Sequence, residues 1–320
     1  MLHESDVLAG NALRDPPIRE IAVYVAPHAP GELLPTLFLL AGFTGRGQSF
    51  LETHPWRLGV VARYDALVAA GAAPPVVLAM PDCFTRLGGS QYLNSSATGR
   101  YADYVVQELL PLVHEHLPAD ASRRGILGKS SGGFGALRLA MTNPGLFRVV
   151  GSISGDCAFE NTFGHEFLSC LRGLVPHGGD PRRFLDAFLA EPDLAGDAHA
   201  VIDVLAMAAC YSPNPAAPLG FDLPFDLETG ERIDAVWERW LAFDPLHAVA
   251  EHADALRALD HLHLECGLAD EFHLQWGTRR LSRELTRLGV AHVHEEHPGG
   301  HRGIDARTLA LLPRLVRALS

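Results

Sequence analysis

Short apolar runs ending in glycine, proline or aspartate alternate along this chain with longer segments whose apolar positions recur at helical spacing. REIAVYVAP (19–27) reads as an early strand. PTLFLLAG (35–42) and PPVVLAMPD (74–82) are continuous apolar runs, the pattern of strands covered on both faces. GRYADYVVQELLPLVHEHL (99–117) carries Tyr104, Val105, Leu109, Leu110, Leu112 and Val113 close to helical spacing. RGILG (124–128) is a short strand, GFGALRLAMTNPG (133–145) a helix closed by Asn-Pro-Gly, and FRVVGSISG (147–155) another strand. Between about 156 and 245 the rhythm changes to helical pieces broken by proline and glycine: PRRFLDAFLA, AHAVIDVLAMAAC and ERIDAVWERWL. Strands resume in HLHLECG (261–267) and VAHVHEE (290–296), and DARTLALLPRLVRAL closes the chain as a helix. This order predicts an α/β fold, a mostly parallel sheet flanked by helices. Residues 1–155 and 246–320 would form the core, and 156–245 an inserted helical cap.

Size and composition fit that picture. An open α/β sheet with an insertion accommodates 320 residues without a second domain, and 48% hydrophobic against 20% charged residues supplies a large core. The net charge of −12 would repel phosphate backbones and anionic membranes, so neither nucleic acid nor a membrane is an expected partner. A homo-oligomer stays open. Five cysteines without a CxxC pair indicate neither a disulfide framework nor a zinc site, and reduced thiols are expected. The start MLHESDVLAG has neither a basic nor an apolar leader region, and no apolar run has the roughly 20 residues needed to span a bilayer. A cytoplasmic protein is the expectation.

Gly128-Lys129-Ser130-Ser131-Gly132 matches G-x-S-x-G, follows a short strand directly and runs into a helix. On such a sharp turn the residues two before and two after the serine must be small, which glycine satisfies. The turn lifts the Oγ above the sheet, and the next helix aims its first N–H groups at a developing oxyanion. Gly-Lys-Ser-Ser also looks like the end of a phosphate loop, but Arg123 stands where that motif requires its first glycine. Ser131 cannot be the nucleophile in this pattern, because Lys129 would then occupy a glycine position. Its backbone N–H is instead a candidate oxyanion donor.

A serine hydroxyl needs an imidazole base and a carboxylate to orient it, and on this fold they follow in the order Ser, Asp/Glu, His. Asp270 lies just beyond HLHLECG, with Glu271 and Glu265 as rivals. His301 lies beyond VAHVHEE after Gly299-Gly300, with His297 as its rival, whereas His292 and His294 alternate within a strand. The second oxyanion donor is expected on Ala41-Gly42-Phe43-Thr44-Gly45, at Phe43 or at Thr44. Thr44, Tyr92, Asp156 and Trp237 are candidates for the substrate pocket, and Phe159, Phe163, Phe167 and Trp240 are further aromatic candidates. The chemistry calls for no metal and no cofactor.

LLAGFTGRGQSF, MPD with the following RYADYVVQELLPLVHEHL, GKSSGGFGALRLAMTNPGLF, CGLADEF and HPGGH together resemble the putative-esterase family of α/β-hydrolases. That family includes S-formylglutathione hydrolases, enterochelin esterases, feruloyl esterases and the antigen 85 mycolyltransferases. The resemblance implies Ser130 as nucleophile, Asp270 as acid, His301 as base and the Phe43 and Ser131 N–H groups as oxyanion hole. The chain departs from the family at Lys129 and Ser131, where the family often has His or Tyr and Met. It also has Pro-Gly-Gly before His301, where S-formylglutathione hydrolases are closer to Gly-Tyr-Asp. The expected activity is hydrolysis of a small-molecule ester, a carboxylesterase. An acyltransferase would share every catalytic residue, and a non-catalytic binding protein would be expected to lack one of the three.

Overall fold

The computed structural model describes residues 1–52, 56, 58–303 and 305–320. Eight strands form one sheet: β1 (Leu2–Glu4), β2 (Ile18–Val25), β3 (Leu34–Leu40), β4 (Val77–Pro81), β5 (Ala119–Lys129), β6 (Val149–Ile153), β7 (His261–Gly267) and β8 (Val293–His297). Their spatial order is β1-β2-β4-β3-β5-β6-β7-β8. β1 and β4 pair antiparallel with β2, and every other neighbouring pair is parallel.

The continuous apolar runs end up where both faces of the sheet are covered, and every residue of β3, β4 and β6 is buried. Alternation divides their side chains. Phe38, Leu40, Val77 and Ala79 join one core with Ala136, Leu137 and Met141 of the helix Ser131–Thr142. Leu37, Leu39, Leu78 and Met80 join another with Val60, Val61 and Tyr64 of the helix Val60–Ala69 and Leu311, Leu312 and Leu315 of the helix Asp305–Arg317. Such a fold is that of an α/β-hydrolase.

Helices fill most of the connection between β6 and β7, among them Glu166–Leu174, Pro181–Ala190, Ala198–Tyr211 and Asp234–Leu241. They share an aromatic-rich core of their own that includes Phe159, Phe163, Phe167, Phe225, Trp237 and Trp240. Asp244, fully buried, accepts hydrogen bonds from the N–H groups of Ala158 (2.9 Å), Phe159 (2.8 Å) and Leu246 (2.9 Å), which ties the start of the segment to its end. All five cysteines are free and buried. No described helix is long and apolar enough to cross a membrane.

Candidate active site

Five loops leave the carboxyl ends of parallel strands on one edge of the sheet, which is where open α/β sheets hold ligands. β3 is followed by Phe43, β5 by Ser130, β6 by Asp156, β7 by Asp270 and β8 by His301. Together they border a cavity of about 920 Å³, whose lining includes Phe43, Thr44, Ser130, Ser131, Asp156 and His301.

Ser130 sits at the turn from β5 into the helix Ser131–Thr142 with φ 56° and ψ −126°, a sparsely populated conformation for a residue with a side chain. Packing holds it there. Its N–H donates to the Ile153 carbonyl (2.9 Å). A Cβ at Gly128 would fall 2.0 Å from the Gly132 carbonyl oxygen, and one at Gly132 would fall 2.2 Å from that of Leu40. The glycines of the pentapeptide are therefore a steric requirement of the turn.

His301 Nε2 lies 3.0 Å from Ser130 Oγ, and His301 Nδ1 lies 2.9 Å from Asp270 Oδ2. The Phe272 ring meets the imidazole edge-on at 4.7 Å between centroids. Burial pushes the Asp270 carboxyl up, but the hydrogen bond and charge of His301, with bonds from Ser154 and the Phe272 N–H, outweigh it and hold Asp270 below the usual carboxylate range. The rivals lie elsewhere. Glu265 is engaged by Arg307, and Glu271 accepts the backbone N–H of His301 at 2.5 Å, which fixes the loop rather than the ring. His297 is buried 3.8 Å from Glu265, and its Nδ1 accepts the Gly299 N–H (3.1 Å).

The loop after β3 packs directly on the serine, since a Cβ at Gly42 would lie 3.2 Å from Ser130 Cβ and 3.9 Å from its Oγ. Of the two candidate donors there, the Thr44 N–H is already given to the Gly88 carbonyl (2.8 Å). The Phe43 ring is seated against Gly88 and Gly89, where added Cβ atoms would meet it at 2.7 and 3.1 Å.

Thr44 and Asp156 line the cavity, but Tyr92 and Trp237 do not. The Tyr92 hydroxyl donates to the Ala41 carbonyl (2.7 Å), and its ring occupies the space that the missing Cβ of Gly135 leaves, so it supports the loop from below. Trp237 is packed between Phe167 and Trp240 in the aromatic core. Of the remaining aromatic candidates only Phe163 reaches the cavity. Two groupings of metal-ligating side chains occur among the described residues, Glu160/Asp244/His247 and His263/Glu265/Glu295, and neither borders the cavity.

Sequence reasoning passed over two lining residues, Glu166 and Asp203, which with Asp156 place three buried carboxyls in one wall. Burial and the nearby Asp203 push Asp156 up to about 7, against a hydrogen bond from Gln91 and the charge of His301. Burial likewise raises Glu166 to about 7, and Asp203, desolvated beside Glu166, rises well above its ordinary value. A carboxyl raised on folding stabilises the native state below its unfolded value and loses that contribution as pH climbs to the folded value. The window for Asp156 therefore runs from about 4 to about 7. Urea unfolding of wild type and Asp156→Asn at pH 5 and pH 8 should show the wild type losing stability relative to the variant over that interval, by at most about 3 kcal/mol. Equal pH dependence of the two would show that Asp156 ionises freely in the native state.

Residues 17–302 match the model of a family described as putative esterase. Mouse (Mus musculus) S-formylglutathione hydrolase is 30% identical over 144 residues, 42% of this chain and 51% of that enzyme. The chain thus spans about half the length of that curated relative. Among solved structures, a ferulic acid esterase superposes with a TM-score of 0.63 at 18% identity, covering 100% of this chain and 97% of the other. An S-formylglutathione hydrolase from Agrobacterium tumefaciens gives 0.58 at 20% identity over 100% and 94%. MPT51 of Mycobacterium tuberculosis gives 0.56 at 15% identity over 100% and 99%. These structures share the fold.

Proposed function

This chain belongs to the putative esterase family, and from that premise we propose that it is a serine hydrolase, a carboxylesterase working through Ser130, His301 and Asp270. The observation that carries the proposal is the continuous chain of contacts, 3.0 Å from Ser130 to His301 and 2.9 Å from His301 to Asp270. His301 Nε2 takes the Ser130 proton as Oγ attacks the ester carbonyl, and Asp270, ionised and buried, stabilises the imidazolium that forms. The backbone N–H groups of Phe43 and Ser131 receive the oxyanion, with the helix N-terminus behind Ser131 adding its partial positive charge. His301 returns the proton to the leaving alcohol, and water then releases the acyl group by the same route.

The helical segment 156–245 acts in this reading as a cap that sets specificity, because Asp156, Phe163, Glu166 and Asp203 all come from it. The molecule works on a small ester inside the cell and needs neither metal nor cofactor for these steps. Incubation with a fluorophosphonate should label Ser130 stoichiometrically and abolish p-nitrophenyl acetate hydrolysis in parallel. Labelling at another residue, or activity that survives full labelling of Ser130, would remove the proposal.

A further inference from the structure

We propose that Asp156, Glu166 and Asp203 form a subsite for a primary ammonium group carried by the substrate. The inference rests on the esterase reading above and deepens it by naming a substrate class.

The three carboxyls line the same cavity as Ser130 and His301 and come from separate elements: Asp156 from the loop after β6, Glu166 from the first turn of Glu166–Leu174, and Asp203 from within Ala198–Tyr211. All are more than nine-tenths buried, at 6%, 6% and 7% exposure. Asp203 sits in the run Val201-Ile202-Asp203-Val204-Leu205, where an apolar side chain would be the default for a buried helix. Burying a carboxyl is costly unless donors satisfy it. Asp156 has one, since Gln91 Nε2 donates to its Oδ2 at 3.1 Å. The Glu166 carboxyl beside Asp203 adds to the burial that raises that group. The buried Oε2 of Glu166 finds no donor among the described residues.

The three acids therefore offer acceptors, of which Glu166 Oε2 has no donor among the described residues, in a cavity that Lys129 and Arg302 also line, and they are negative in any state where they ionise. An ammonium supplies what is missing, with three N–H donors and one positive charge on a compact head. A hydroxyl brings one donor and no charge, and a quaternary ammonium brings charge without a donor. The negative charge of the whole chain, −12, adds to the attraction. Asp156 lines the cavity together with Ser130 and His301, so the subsite and the reacting atoms share one space. The amine then lies a short chain away from the scissile ester, on either the acyl or the alcohol side.

Two isosteric pairs separate those sides at pH 7.5, where an alkylamine is fully charged. One pair is p-nitrophenyl 6-aminohexanoate and p-nitrophenyl heptanoate; the other is 6-aminohexyl acetate and heptyl acetate. After correction for the hydroxide-catalysed rate of each ester, the amine member of one pair should be preferred in kcat/KM by about tenfold or more, the scale of a charge-assisted hydrogen bond. The preference should collapse toward unity in Glu166→Gln and in Asp203→Asn. Because it is a ratio taken within one enzyme sample, partial misfolding of a variant cancels. A ratio at or below one for both pairs, or one that the two variants leave unchanged, overturns the subsite while the esterase reading stands. Failure to hydrolyse any of the four esters removes the esterase reading and the subsite with it.

Discussion

Substitution of Ser130 by alanine is expected to lower kcat for p-nitrophenyl acetate by about 10⁵- to 10⁶-fold, the scale on which removal of the nucleophile acts in enzymes of this chemistry. The size follows from what the hydroxyl does. Oγ is the atom that forms the acyl bond, and without it His301 can activate only water, which nothing in the turn holds in line with the carbonyl. The backbone N–H groups remain, so a residual acceleration over solution is expected rather than none. Stability should change little, because the strained backbone at Ser130 is held by the Ile153 carbonyl and by the crowding around Gly128 and Gly132, not by the hydroxyl. Steady-state kinetics with denaturant unfolding of the same sample checks both halves. A variant that keeps more than a few per cent of wild-type turnover would remove Ser130 from the chemistry.

The strands were legible where they are buried on both faces, since PTLFLLAG and PPVVLAMPD have one environment throughout and show it as unbroken apolarity. The serine turn was legible because its glycines answer to sterics that leave no other choice. Elements at the margin left weaker traces. Three residues of β1, paired antiparallel with β2, have no apolar period to display. The helix Leu274–Arg287 buries only Leu274, Leu281 and Leu285 among its large apolar residues, a stripe too thin to stand out from the charges around it. Tyr92 and Trp237 show the limit for pockets, because an aromatic residue that covers a cavity and one that fills a core have the same sequence signature. The signal for the acidic wall was present and passed over. A single carboxylate inside AHAVIDVLAMAAC is a buried charge in need of a partner, and that is a reason to look for a ligand.

The second large effect separates two buried aspartates on neighbouring loops of the site that have opposite environments. Asp270→Asn is expected to reduce kcat by about 10⁴-fold, because an asparagine can offer its N–H₂ to His301 Nδ1 and so stabilise the tautomer whose Nε2 carries the proton. That imidazole cannot accept from Ser130, and no carboxylate remains to balance the imidazolium. Asp156→Asn has no such consequence, since burial already raises that carboxyl to about 7 and its donor is Gln91 rather than the catalytic ring. Its loss should be confined to the substrate wall and fall below about 100-fold, within the range of one charged hydrogen bond. Raising the pH should discriminate further. The Asp270→Asn deficit reflects a tautomer and is present across the range, whereas Asp156→Asn, a neutral isostere of the protonated acid, should lie nearest wild type below about pH 7 and fall further behind as the wild-type carboxyl ionises. Parallel kcat measurements on the two variants from pH 6 to 9 give the comparison. If Asp156→Asn proved the more damaging of the two, the acid of the triad would have to be reassigned from the loop after β7 to the loop after β6.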